Sequence, residues 1–132
     1  MHKLIKLAAL STLPLGLAMF PLQAMASATT EIKTAATHAG LASQATDLAM
    51  VHSHLHHTLN CLVGPSGTGF DAAEINPCKN NGNGAIPDTK SAAKKASLEK
   101  AADSARAGIA AGDLATAQKT AADTATMLKA IK

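Results

Sequence analysis

The feature that most constrains the fold is a run rich in glycine, proline and asparagine, from residue 62 to residue 88. It divides the chain into two regions dominated by alanine and leucine. Glycine adopts backbone conformations that other residues avoid, while proline and asparagine favour turns, so no regular element longer than a turn is expected there. Loops of this length inside a small domain are usually functional or tethered.

The first 26 residues predict export of the protein. Two lysines precede an apolar stretch, and Ala24-Met25-Ala26 has the small-x-small pattern that signal peptidases read. The apolar stretch is shorter than a membrane-spanning helix and contains two prolines. We therefore expect a signal peptide over 1–26, cleavage after Ala26, no membrane span in the remaining single domain 27–132, and a periplasmic or secreted location.

Cys61 and Cys78 are the only cysteines, and they bracket the first two thirds of the loop. An even number of cysteines in an oxidising compartment favours an intramolecular disulfide. Closing a loop of this size stabilises a fold by about 3 kcal/mol in the chain-entropy model. The absence of a C-x-x-C motif argues against a redox or zinc-ribbon site, so we expect a structural disulfide that tethers the loop.

Helical periodicity appears on both sides of the loop. The segment from about 29 to 60 has leucines at helical spacing that predict a core-facing stripe. They are Leu41, Leu48, Leu55, Leu59 and Leu62. After the loop, about 89–111 and about 113–131 predict two alanine-rich helices joined by a very short turn.

The expected fold class is all-α. We expect an up-down three-helix bundle, made of one long helix and a helical hairpin, with a long disulfide-tethered loop rich in Gly, Asn and Pro. Gly108 and Gly112 have the spacing of a close-packing motif, which outside a membrane indicates tight helix contact and a helix end. A homodimer that completes a four- or six-helix core is an alternative to a self-sufficient monomer.

Composition excludes several functions. The net charge is +3, without a basic run, and falls to about +1 after removal of Lys3 and Lys6 with the signal peptide. Tryptophan and tyrosine are absent, so the chain offers no stacking platform for bases. Nucleic-acid binding is therefore not expected. No metalloprotease, phosphate-loop or nucleophile-elbow motif is present, and we do not expect an enzyme.

Histidine is the residue whose distribution points to chemistry. Four of the six histidines fall within six residues, at His52, His54, His56 and His57, and His38 precedes them. On a continuous helix, His52 and His56 are one turn apart on a face that His38 shares. Two imidazoles at positions i and i+4 can chelate one metal ion.

A second candidate set lies on the opposite side of the same predicted helix. Met50, His54 and His57 occur at positions i, i+4 and i+7, which places them close together on a helical wheel. A thioether with two imidazoles suits copper, because soft sulfur ligands select Cu(I) over zinc. A pH-sensing cluster and a solvated histidine surface without a role are the alternatives to metal binding.

The alanine-rich helices, the signal peptide and the clustered histidines resemble the small periplasmic His-rich metal-binding proteins of Proteobacteria. That resemblance implies a helical bundle that sequesters or buffers copper and other divalent ions. We therefore expect a transition-metal protein, with copper first and zinc or nickel next, that acts in buffering, delivery or sensing.

Two other functions stay open. One is a metal-free interaction module whose loop presents Phe70, the only aromatic residue after the expected cut, to a periplasmic protein partner. A lone aromatic in such a loop can instead anchor the loop to the bundle. The other is non-covalent haem binding with a histidine as axial ligand.

Overall fold

The computed structural model describes residues 22–132, with side chains from Ser27 onward. The described part contains five helices and no strand, which confirms the all-α class. The helices are α1 (Leu22–Gln44), α2 (Leu48–Val63), α3 (Ala85–Asp88), α4 (Ala92–Ile109) and α5 (Leu114–Ala130). None of them is both long enough and apolar enough to cross a membrane. Most of the expected signal peptide, residues 1–21, lies outside the described residues.

The segment expected to form one helix over about 29–60 is two helices. α1 ends at Gln44, and α2 begins after Asp47, whose extended backbone and side chain form an N-cap. The Asp47 carboxylate accepts the backbone N–H of Met50 at 2.8 Å, satisfying a donor that a helix start otherwise leaves free. The turn at 45–47 folds α2 back along α1, so the expectation of three helices is corrected to four long ones.

These four helices form an up-down-up-down bundle. α1 packs against α2 and α5, and α4 packs against α2 and α5. At one end of the bundle, Gln118 donates from Nε2 to the carbonyl oxygen of Ala45 at 2.8 Å, and His52 donates from Nε2 to that of Ala111 at 3.0 Å. Each bond ties the turn of one helical hairpin to a helix of the other hairpin. A four-helix core therefore forms within one chain.

The core combines a few leucines with many alanines. Leu55, Leu98 and Leu128 are almost completely buried, whereas Leu41 of the predicted stripe is 45% exposed. The stripe was drawn on a continuous helix, and the break before α2 changes which face of α1 is buried. At Gly108, a Cβ would lie 2.6 Å from Cδ1 of Leu55. The expected close approach of helices at this glycine is confirmed.

The loop between α2 and α4 is tied down at several points. The disulfide between Cys61 and Cys78 is present, as expected. Phe70 is half-buried and packs against the core, which favours its role as an anchor of the loop. Near its end, the backbone N–H of Gly84 donates to Oε1 of Glu31 on α1 at 2.9 Å, and the loop then forms the single turn of α3. The loop is therefore held along much of its length.

Candidate metal centre

Three histidines from two helices converge at the interface of α1 and α2. His38 comes from α1, and His54 and His57 come from α2. One ring nitrogen of each lies within 4.8 Å of a ring nitrogen of the other two. The Nδ1 atoms of His38 and His54 are 3.3 Å apart, and the three ring centroids are separated by 5.1 to 5.6 Å. This group could hold a metal ion.

The hairpin geometry explains the convergence. His54 and His57 are three residues apart on α2, so they share one helix face. His38 lies eight residues before Thr46 and His54 lies eight residues after it. In an antiparallel helical hairpin, residues at equal distances from the turn are brought side by side. The N-cap at Asp47 therefore fixes which histidines meet.

A buried threonine joins the two helices beside this group. Thr58 Oγ1 lies 3.0 Å from the carbonyl oxygen of His54 and 3.3 Å from that of Ala35 across the interface. Thr58 is completely buried. Its one hydroxyl hydrogen is shared between a carbonyl of each helix, a three-centre contact that joins α1 and α2 beside the histidines.

His57 is the most buried member of the group, with 9% of its side chain exposed. Neither of its ring nitrogens has a hydrogen-bond partner among the described residues. Nε2 lies 3.4 Å from Oε2 of Glu74, a distance at which the two groups attract but whose geometry does not make a hydrogen bond. Buried polar atoms are usually hydrogen-bonded, so the ring has an unpartnered nitrogen available to a ligand.

Burial favours the neutral form of two of these imidazoles, His38 and His57. The pKa of His38 is lowered to about 4, first by burial and then by the neighbouring His57 and His54, which disfavour a second positive charge. Burial also lowers the pKa of His57, an effect that the carboxylate of Glu74 opposes. Neutral imidazole is the form that binds metal, so protons do not compete strongly with an ion here.

The structure draws this group from both predicted ligand sets. His38 was expected with His52 and His56, and His54 and His57 were expected with Met50. His52 instead bonds the Ala111 carbonyl, and His56 Nδ1 lies 3.4 Å from Oδ2 of Asp71 in the loop. These two histidines thus contact different parts of the chain: His52 contacts the turn between α4 and α5, and His56 contacts the loop.

Met50 lies in the first turn of α2, where its side chain is half-exposed. Sequence reasoning missed the turn that combines the two sets. The polar stretch before Asp47 and the cap residue itself were the signal that could have located it. It also missed Glu74, for which the sequence offers no signal, because the path of the loop over α2 depends on tertiary contacts.

No family model matches the chain, and no curated protein or solved structure matches it significantly.

Proposed function

We propose that the protein binds one transition-metal ion through His38, His54 and His57. The observation that carries the proposal is the separation of 3.3 Å between Nδ1 of His38 and Nδ1 of His54. Two nitrogens bound to one tetrahedral ion at 2.0–2.1 Å lie about 3.3 Å apart. In the metal-free protein the same distance accommodates one proton between the two nitrogens. The ion would take that position, and the proton would move to Nε2 of the same ring by exchange with water.

The unpartnered nitrogens of His57 support the same assignment. A buried polar atom without a hydrogen bond destabilises a fold by about 1–3 kcal/mol. Both ring nitrogens of His57 are in this state. A metal ion bound to one of them removes part of that penalty, so binding would stabilise the folded chain as well as fill the site.

The donor set favours ions of intermediate softness. Imidazole binds Zn²⁺, Cu²⁺ and Ni²⁺, and three protein ligands leave a position for water or a small anion. The proposed donor set is three imidazoles and does not include the half-exposed Met50, so it supplies no soft sulfur ligand for Cu(I). We place Cu²⁺ and Zn²⁺ first and Ni²⁺ next.

Buffering, delivery or sensing in an exported protein fits this site better than catalysis. The disulfide is typical of oxidising compartments. A cavity of about 630 Å³ between α1 and α5 has none of the three histidines in its lining, so it provides no substrate pocket beside the ion.

Calorimetric titration of the chelator-treated protein with Zn²⁺ and Cu²⁺ at pH 7 tests the proposal. We expect one ion per chain, and we expect His38→Ala and His54→Ala each to weaken binding by at least about 100-fold, because even partners behind a ligand contribute about 10- to 100-fold. Both side chains are only partly buried, so the variants should keep their helical circular dichroism.

The matched controls are His52→Ala and His56→Ala, which alter the same helix outside the group. Their affinities should equal that of the unaltered protein. If the controls lose binding while His38→Ala and His54→Ala retain it, the metal is at the other face of α2. If the unaltered protein binds neither ion with a defined stoichiometry, the proposal fails.

A further inference from the structure

We propose that Glu74 is a positioning residue of this metal site: its carboxylate, 3.4 Å from Nε2 of His57, stabilises the tautomer protonated at Nε2 and thereby leaves Nδ1 of His57 as the ligand atom. The inference rests on the proposed metal binding by His38, His54 and His57. It adds a residue from the loop to a site otherwise built from two helices. It also fixes the protonation pattern of one ligand.

The placement of Glu74 is defined by two contacts with α2. Ser53 Oγ donates to Oε2 of Glu74 at 3.0 Å, and the same oxygen lies 3.4 Å from Nε2 of His57. One carboxylate oxygen thus faces a hydroxyl donor and a ring nitrogen on the same helix. At this distance the carboxylate attracts an N–H on Nε2 electrostatically, without the geometry of a hydrogen bond.

A buried asparagine holds this part of the loop in register with α2. The Asn60 side chain, completely buried, donates from Nδ2 to the carbonyl oxygens of Asp71 and Ile75 at 2.9 and 3.2 Å. Its Oδ1 accepts the backbone N–H of Asp71 at 2.9 Å. These three bonds fix the backbone on both sides of Glu74, so its carboxylate is presented to His57 by a rigid support.

The chemistry of imidazole assigns the consequence. A neutral ring has one N–H and one nitrogen with a free lone pair, and a partner that accepts the N–H selects the tautomer. Because the carboxylate faces Nε2, the lone pair is on Nδ1. A carboxylate behind a ligating histidine also makes that histidine a stronger donor. Glu74 therefore raises affinity without contacting the ion.

The variant Glu74→Gln tests this role with Zn²⁺ as the probe. We expect one ion per chain to be retained and the dissociation constant to rise about 10- to 100-fold. In the metal-free protein, long-range ¹H–¹⁵N NMR should report His57 protonated at Nε2. In Glu74→Gln it should report a mixture of tautomers, a change that a purely structural role would not produce.

The matched control is Asp71→Asn, which removes the other loop carboxylate near α2 histidines, the one 3.4 Å from His56. It should leave both the Zn²⁺ affinity and the His57 tautomer unchanged. Equal losses in both variants would overturn the proposal in favour of a general effect of loop charge. An unchanged affinity in Glu74→Gln, or a weakened affinity with an unchanged tautomer, would overturn it as well.

The two proposals fail in different ways. If the unaltered protein binds neither Zn²⁺ nor Cu²⁺, the metal assignment is wrong, and the tautomer of His57 still decides whether Glu74 acts on that ring. If the unaltered protein binds Zn²⁺ and Glu74→Gln binds it equally well, only the role of Glu74 is wrong.

Discussion

The two halves of the bundle differ in the number of polar side chains that they bury. The half formed by α1, α2 and the loop contains most of the buried polar side chains among the described residues: Glu31, His57, Thr58, Asn60 and Asp88. The hairpin of α4 and α5 contains one, Thr124. Thr124 Oγ1 lies 2.7 Å from Oγ of Ser104 and 2.8 Å from the carbonyl oxygen of Thr120, so it is fully partnered.

The two halves differ in whether their buried polar atoms are hydrogen-bonded, as well as in how many such side chains they contain. In the first half, Oε2 of Glu31, Nδ1 of His56 and both ring nitrogens of His57 are buried without a hydrogen bond. In the α4–α5 hairpin, small alanines let the helices approach closely, and each contributes little transfer free energy. The α4–α5 hairpin therefore buries few polar groups that oppose folding, while the half formed by α1, α2 and the loop contains several. Groups of that kind are characteristic of functional sites.

The largest expected effect on stability comes from the disulfide, which lies in the half formed by α1, α2 and the loop. Reduction of Cys61–Cys78, or the double variant Cys61→Ser with Cys78→Ser, should lower the free energy of unfolding by about 2–5 kcal/mol. Urea denaturation followed by circular dichroism measures it. The double variant should not respond to reductant. An unchanged midpoint in the reduced protein would show that Asn60 and the core contacts alone hold the loop.

The second prediction concerns Glu31, which is completely buried. Burial, with a smaller contribution from Asp88, raises its pKa from 4.5 to about 7. The folded state therefore binds a proton more tightly than the unfolded state. The resulting stability is fully present below pH 4.5 and is lost as pH rises through about 7.

The contribution of Glu31 to the free energy of unfolding that is lost in this way amounts to about 3 kcal/mol. It is measured as the difference in unfolding free energy between the unaltered protein and Glu31→Gln across this pH range. The difference is needed because His38, whose pKa is lowered, gives the opposite slope: its stability is lost as pH falls from 6.5 towards 4. A difference that does not vary with pH would contradict a raised pKa at Glu31.

The third prediction tests the contact between the two halves. Gly108→Ala should destabilise the protein by about 1–2 kcal/mol, because overpacking against Leu55 exceeds the gain in helix propensity. The control is Gly112→Ala, where a Cβ would have no neighbour within 4 Å. Thermal unfolding compares them. If both glycines tolerate alanine equally, the core has more freedom at Leu55 than its packing indicates.

The smallest effect on stability is expected in the α4–α5 hairpin. Thr124→Val keeps the shape of the side chain and removes its hydroxyl, and Ser104 is only partly buried and can turn towards solvent. We expect a loss of about 0.5 kcal/mol, at the lower end for a single hydrogen bond. A loss as large as that of the disulfide, measured by the same urea denaturation, would abolish the distinction between the halves.

Much of the scaffold could be predicted from the sequence. The alanine-rich hairpin, the disulfide and the close packing at Gly108 depend on local spacing or on the only two cysteines. The turn at 45–47 was missed because leucine periodicity runs across it, and a wheel drawn through a break assigns residues on its two sides to false neighbours.

The same error explains the outcome at the site. The relevant residue type was predictable from its concentration, but the grouping of His38 with His54 and His57 depends on the fold of the hairpin. Glu74 depends on still more distant information. Its position follows from Asn60, which lies fourteen residues earlier in the sequence and is buried by contacts that no local pattern encodes.

The turn between α1 and α2 has a consequence for how such a chain can evolve. Its length sets the register of His38 against His54, and each residue along an α-helix rotates the following side chain by about 100°. Substitutions within the turn leave the register intact provided that a cap remains. An insertion or deletion of one residue in the turn would keep both helices and separate His38 from His54. Descendants of this sequence that keep the site should therefore vary in the amino acids of the turn and not in its length.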